Sequence, residues 1–102
     1  MLSNAYIIMK RKPMNVVDRA KFCRDVAILN DDSEETIEIL RDFQSDSSIF
    51  STAKIPISEW ATGTLIMLGK LKYEENVTED MDYILEIYKE FKKEYEKGNL
   101  EL

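Results

Sequence analysis

Residues 78–98 read TEDMDYILEIYKEFKKEYEKG, and this stretch decides the fold class. Met81, Ile84, Leu85, Tyr88, Phe91 and Tyr95 recur at helical steps and form one apolar face. Thr78 stands where an N-cap belongs, and Glu79 and Asp80 fill the first turn. Lys89, Lys92, Lys93 and Lys97 gather toward the far end, so acid and base follow the helix dipole. Gly98 is placed to close the helix in the left-handed conformation. Tyr83 and Ile87 widen the apolar arc to about 200°, twice the ~100° of an ordinary surface helix. The chain therefore needs either a second packing surface for this helix or a partner.

Working backward, Glu74 to Thr78 is a short connection to another helix, so the two are expected to form an antiparallel hairpin. That earlier helix is expected to start after Ser58 as N-cap and to run to about Tyr73. Trp60, Thr64, Met67 and Leu71 make one stripe, with Ala61, Leu65 and Leu68 beside it. Ile66 and Tyr73 point nearly the other way, and a helix apolar on most sides is usually central. Gly63 and Gly69 each cost a helix about 1 kcal/mol relative to Ala. Close approach of a neighbouring helix is the expected compensation.

Two further helices come first. One is expected from Val16 to Leu29 with Asn15 as N-cap; Val16, Ala20, Cys23 and Ala27 share a face, widened by Phe22, Val26 and Leu29. Asn30 to Ser33 reads as a turn. Asp32 with Glu35 resembles a capping box, and the second helix should run to about Gln44, with Ile37, Leu40 and Phe43 inward. Residues 45–57 are rich in Ser and Thr yet carry Ile49, Phe50, Ile55 and Ile57, which suits a loop packed on the core. A short strand there, paired with Tyr6–Met9, is the alternative and would make the fold α+β. We expect an all-α bundle of about four helices over residues 14–102. A basic segment, residues 1–13, precedes it, and its sequence is compatible with strand, helix or coil.

The 102 residues carry a net charge of −6, unevenly placed. Residues 1–30 hold six bases and two acids, whereas residues 31–102 hold eight bases and eighteen acids. An acidic body repels nucleic-acid phosphates and favours solubility. The plainer reading is that basic head and acidic body pair within the fold.

The chain has no histidine, which removes the commonest general base and most transition-metal ligation. The single cysteine, Cys23, allows no internal disulfide and suits a buried thiol in a reducing compartment. No secretory signal or membrane-length apolar run is evident, so a cytoplasmic location is expected. The three glycines stand in no phosphate-binding motif. Asp31, Asp32, Glu34 and Glu35 lack the spacing of a calcium loop and read as a charged helix start. No cofactor and no metal are expected.

Glu74, Glu75, Glu79, Asp80 and Asp82 form a second acidic group, suited to helix capping or to a basic partner. The favoured function is non-catalytic protein binding, by a regulator, inhibitor or adaptor, with a protein partner or a second copy of the chain. Tyr83 and Ile87 are the candidate anchors, and Glu79, Asp80 and Asp82 the polar rim. The alternative is a nucleic-acid-binding regulator using Lys10, Arg11, Lys12 and Arg19. Trp60 reads as a core anchor rather than a contact residue.

Overall fold

The computed structural model describes residues 15–50 and 54–102. Four α-helices lie within them: α1 (Val16–Leu29), α2 (Glu34–Phe43), α3 (Ile57–Met67) and α4 (Met81–Glu96). Two short strands, β1 (Ile49–Phe50) and β2 (Ile55–Pro56), pair antiparallel just before α3, and a 3-10 turn covers Tyr73–Glu75. The protein is thus a small, mostly α-helical bundle. Residues 45–57 form their strand within themselves. The alternative partner Tyr6–Met9, and the rest of the basic segment 1–13, lie outside the described residues.

Helix α1 has the expected limits. The Asn15 side chain accepts the Asp18 N–H at 2.8 Å and satisfies one of the free amides of the first turn. Helix α2 starts after Ser33 rather than Asp32 and ends at Phe43. Its entry is fixed by Asp31, whose carboxylate accepts from the Ser33 N–H (3.1 Å) and from Thr36 Oγ1 (2.7 Å).

Helix α3 corrects two expectations. It begins at Ile57, so Ser58 lies inside it and is not its cap. The first amides of the helix are satisfied from outside: Ile57 N–H donates to the Ser48 carbonyl (2.9 Å) and Ser58 N–H to the Asp46 carbonyl (2.8 Å). It ends at Met67, not at Tyr73. Gly69 has φ +74°, Gly69 N–H donates to the Ile66 carbonyl, and Lys70 N–H reaches back to the Leu65 carbonyl. Those are the two bonds of a Schellman cap. Of the two glycines, only Gly63 serves close packing: a Cβ there would lie 2.5 Å from Ile84 Cγ2 of α4.

α3 is the central element. It packs on α1, α2 and α4, while α1 also packs on α4. The core gathers Phe22, Cys23, Val26, Leu40, Ile57, Ala61, Leu65, Met81, Ile84 and Tyr88, all essentially buried. Leu68 is only half-buried, because the helix has ended there.

Helix α4 starts at Met81, three residues beyond the expected Thr78 cap. Met81 N–H donates to the Thr78 carbonyl, and the Tyr73 hydroxyl donates to the Asp82 carboxylate, tying the 3-10 turn to the first turn of the helix. Gly98 does close α4, with φ +80° and the paired bonds Gly98 N–H to Tyr95 O and Asn99 N–H to Glu94 O. The buried face is narrower than expected: Met81, Ile84 and Tyr88. Tyr95, expected in the core, is exposed. At 1.5 Å per residue, the 16-residue α4 is longer than the 11-residue α3, and Tyr95 in its last turn is left exposed among the described residues.

Candidate functional site

Of the residues singled out as a contact surface, Tyr83 is 51% exposed, Glu79 and Asp82 are exposed, and Asp80 is half-buried. Ile87 is half-buried and packs against the core cluster. Asp82 already accepts the Tyr73 hydroxyl, which raises the tyrosine's pKa. Tyr83 and Ile87 fall on one edge of α4, a turn apart. Among the bases of the alternative, Arg19 is held by Asp46 (2.7 Å), while Lys10, Arg11 and Lys12 lie outside the described residues.

The feature that periodicity did not reveal is a pocket of about 180 Å³. Val17, Ala20, Lys21 and Arg24 of α1 form one wall, Phe50 of β1 and Trp60 of α3 another, and Tyr88 and Phe91 of α4 the third. The lining is overwhelmingly apolar. Trp60 and Tyr88 meet edge to face, with centroids 5.7 Å apart and planes at 62°. Ala20 contributes only a methyl group to the α1 wall, between the larger side chains of Val17, Lys21 and Arg24. The Arg24 guanidinium lies 5.6 Å from the centre of the Phe91 ring; its Nε donates to Asp25 Oδ1 (3.0 Å), and its Nη2 lies 3.0 Å from the same oxygen in an ion pair. Lys21 is exposed and forms no ion pair among the described residues. The rim therefore carries two cations and one carboxylate.

A small buried polar network joins α1, α3 and α4. Each hydroxyl has one proton, so Thr64 gives its proton to the Cys23 carbonyl (2.8 Å) and Tyr88 to the Trp60 carbonyl (2.9 Å). The network leaves one donor out: Trp60 Nε1 is buried and has no acceptor among the described residues. A buried unpaired N–H is uncommon enough to need an explanation.

The titratable groups with shifted behaviour are explained by the fold. Burial pushes the Cys23 thiol far up, out of the range where a thiolate forms. Burial likewise raises the Tyr88 hydroxyl. Burial raises Asp25, against the pull of Arg24 and Lys21. For Asp46 burial also acts upward, but the hydrogen bonds from Ser48 and the charge of Arg19 outweigh it and hold the carboxyl below its usual range. The described residues hold no group of three carboxylate or thiol side chains placed to bind a metal ion. No described helix is long and apolar enough to cross a membrane.

These observations define a small helical bundle with a one-residue-sized apolar pocket at its surface. No protein-family model matches the chain, and no curated protein or solved structure matches it either.

Proposed function

We propose that this chain is a non-catalytic protein-binding domain, acting as a regulator, inhibitor or adaptor. The observation that carries the reading is the pocket between α1 and α4. Interfaces draw most of their energy from a few apolar or aromatic anchors seated in desolvated pockets, with polar residues around them. Phe50, Trp60 and Phe91 supply such a seat, with Lys21 and Arg24 at its rim. The edge of α4, with Tyr83 and Ile87 as anchors and Glu79, Asp80 and Asp82 as rim, extends the same surface. The reading needs no cofactor, and it suits a reducing cytoplasmic setting, since Cys23 is enclosed by the core.

Affinity capture from the native host, with wild-type and Ala20→Leu baits compared by mass spectrometry, tests it. The leucine fills the pocket, so a genuine partner is retained by the wild-type bait and lost from the variant. If both folded baits hold the same proteins, the pocket is not the binding surface. Nucleic-acid binding ranks second, because Arg19 is engaged by Asp46. A gel shift that weakens steeply with salt would promote it.

A further inference from the structure

The pocket has a fitting occupant within the chain itself: we infer that it receives Tyr83 from a second copy. This rests on the protein-binding reading above and adds the identity of the partner.

Size sets the first condition. An engineered apolar cavity of about 150 Å³ holds a benzene molecule, whereas sites for drug-sized ligands span about 300–1,000 Å³. The pocket, at about 180 Å³, therefore takes one aromatic ring. Tyr83 is the most exposed aromatic side chain among the described residues. Lining chemistry sets the second. Phe50, Trp60, Tyr88 and Phe91 surround the space, so an entering ring meets aromatic faces and edges. Charge sets the third. Tyr83 is neighboured by the exposed acids Glu79, Asp82 and Glu86, and the pocket rim carries Lys21 and Arg24, with Asp25 offsetting one of them.

The geometry closes the pair. Tyr83, Ile87 and Phe91 follow one another at four-residue steps along α4, so Tyr83 lies about 12 Å along the axis from the pocket wall at Phe91. A two-fold axis beside Ile87 sets two α4 helices antiparallel and brings each Tyr83 to the other copy's pocket. Such an arrangement is closed and self-complementary. It also places Asp82 and Glu86 of one copy near Lys93 and Lys89 of the other, and opposes the two helix dipoles. Glu90 and Glu94, on the same edge, are each beside a lysine of their own helix at 3.9 Å.

Trp60 is the sole tryptophan, so its Nε1–H gives one indole NMR signal that reports on the pocket. We expect the wild-type mass by light scattering to double as concentration rises toward about 1 mM, the weak end of measurable association, with that signal shifting in parallel. Tyr83→Ser, an exposed substitution, should weaken association at least tenfold without lowering Tm. Ala20→Leu should do the same. Mixing these two variants should restore a one-to-one complex, weaker than wild type, because one intact ring-and-pocket contact remains. Should Ala20→Leu fold poorly, Lys21→Glu at the exposed rim replaces it, again with at least tenfold weaker association. A wild type that stays monomeric to about 1 mM, or a Tyr83→Ser variant that associates as tightly as wild type, overturns the inference. Titration with p-cresol then separates the two readings. If it shifts the Trp60 signal in wild type but not in Ala20→Leu, the pocket still binds a ring and only the second copy is wrong. If it shifts nothing, the pocket reading falls as well.

Discussion

Thr64 and Tyr88 show how much a fully apolar neighbourhood asks of one hydroxyl. Both are buried, and both protons end on backbone carbonyls, Thr64 joining α1 to α3 and Tyr88 joining α4 to α3. Those carbonyls belong to helices, so losing the side-chain donor does not orphan them. Thr64→Val should therefore cost about 0.5–1.5 kcal/mol, a typical net hydrogen bond. Urea unfolding measures it, and a loss several times larger would mean that the network acts as a unit. Gly63 presents a sharper conflict. Alanine is the better helix former by about 1 kcal/mol. Its Cβ, however, would meet Ile84 Cγ2 at 2.5 Å, and Ile84 is buried, β-branched and stiff at χ1. Overpacking of this kind costs about 1–3 kcal/mol, so Gly63→Ala should destabilise on balance. A gain in the urea midpoint would refute the close approach. Cys23 is enclosed, and burial keeps its thiol protonated. The native protein should resist thiol reagents and label only as fast as it unfolds, while Cys23→Ser loses some stability and no binding.

At the scale of elements, the difference between Leu65 and Leu68 tests where α3 ends. Sequence spacing places both beside the core stripe, and a helix reaching Tyr73 would bury both. Leu65 is 1% exposed, whereas Leu68 sits at the left-handed turn into Gly69 and is half-buried. Leu65→Ala should cost about 2–5 kcal/mol, and Leu68→Ala only about 1 kcal/mol, nearer the usual effect of a substitution. Equal losses, read from denaturant midpoints at constant slope, would show that α3 continues past Met67. What was legible here follows a physical pattern. Apolar period and polar caps act locally, so α1 could be placed with its Asn15 cap, and Gly98 could be placed at the end of α4. The start of α3 could not, because its amides are satisfied by the carbonyls of Ser48 and Asp46, which approach only once the chain has folded back. Gly69 is ambiguous in sequence for a related reason. A glycine inside an apolar run and a glycine ending one look alike until the backbone bonds choose. The pocket was not legible at all. Its wall residues come from four elements, and periodicity describes the faces of each without saying where space is left between them.

The whole molecule is tied across its charge asymmetry by Arg19, from the basic head, and Asp46, from the acidic body. That pair, with the Ser48 hydrogen bond, fixes the segment whose carbonyl meets the first turn of α3, so its loss should loosen more than one contact. Arg24, also from the head, pairs instead with its own neighbour Asp25. The two carboxylates respond to acid with opposite sign. Asp46 has a lowered folded pKa, so its contribution is complete above the unfolded carboxyl value of about 3.9 and disappears as pH falls through the lower folded value. Asp25 has a raised folded pKa because burial disfavours its charge. Its ionised form therefore costs stability above that raised value, and protonation relieves the cost on the way down toward about 3.9. Two variants separate these effects. Asp46→Asn should lose about 1–3 kcal/mol at neutral pH, since a charged hydrogen-bond acceptor is removed from a partly buried guanidinium. Its stability should then fall less steeply than wild type below about pH 4, because the group that titrates is gone. Asp25→Asn should be more stable than wild type at neutral pH and should lose that advantage as the medium approaches about pH 4. Urea midpoints taken at intervals from neutrality to about pH 2 give both curves. An Asp46→Asn curve that runs parallel to wild type throughout would show that this carboxylate does not hold head to body, and that the acid limb arises from other carboxylates of the body.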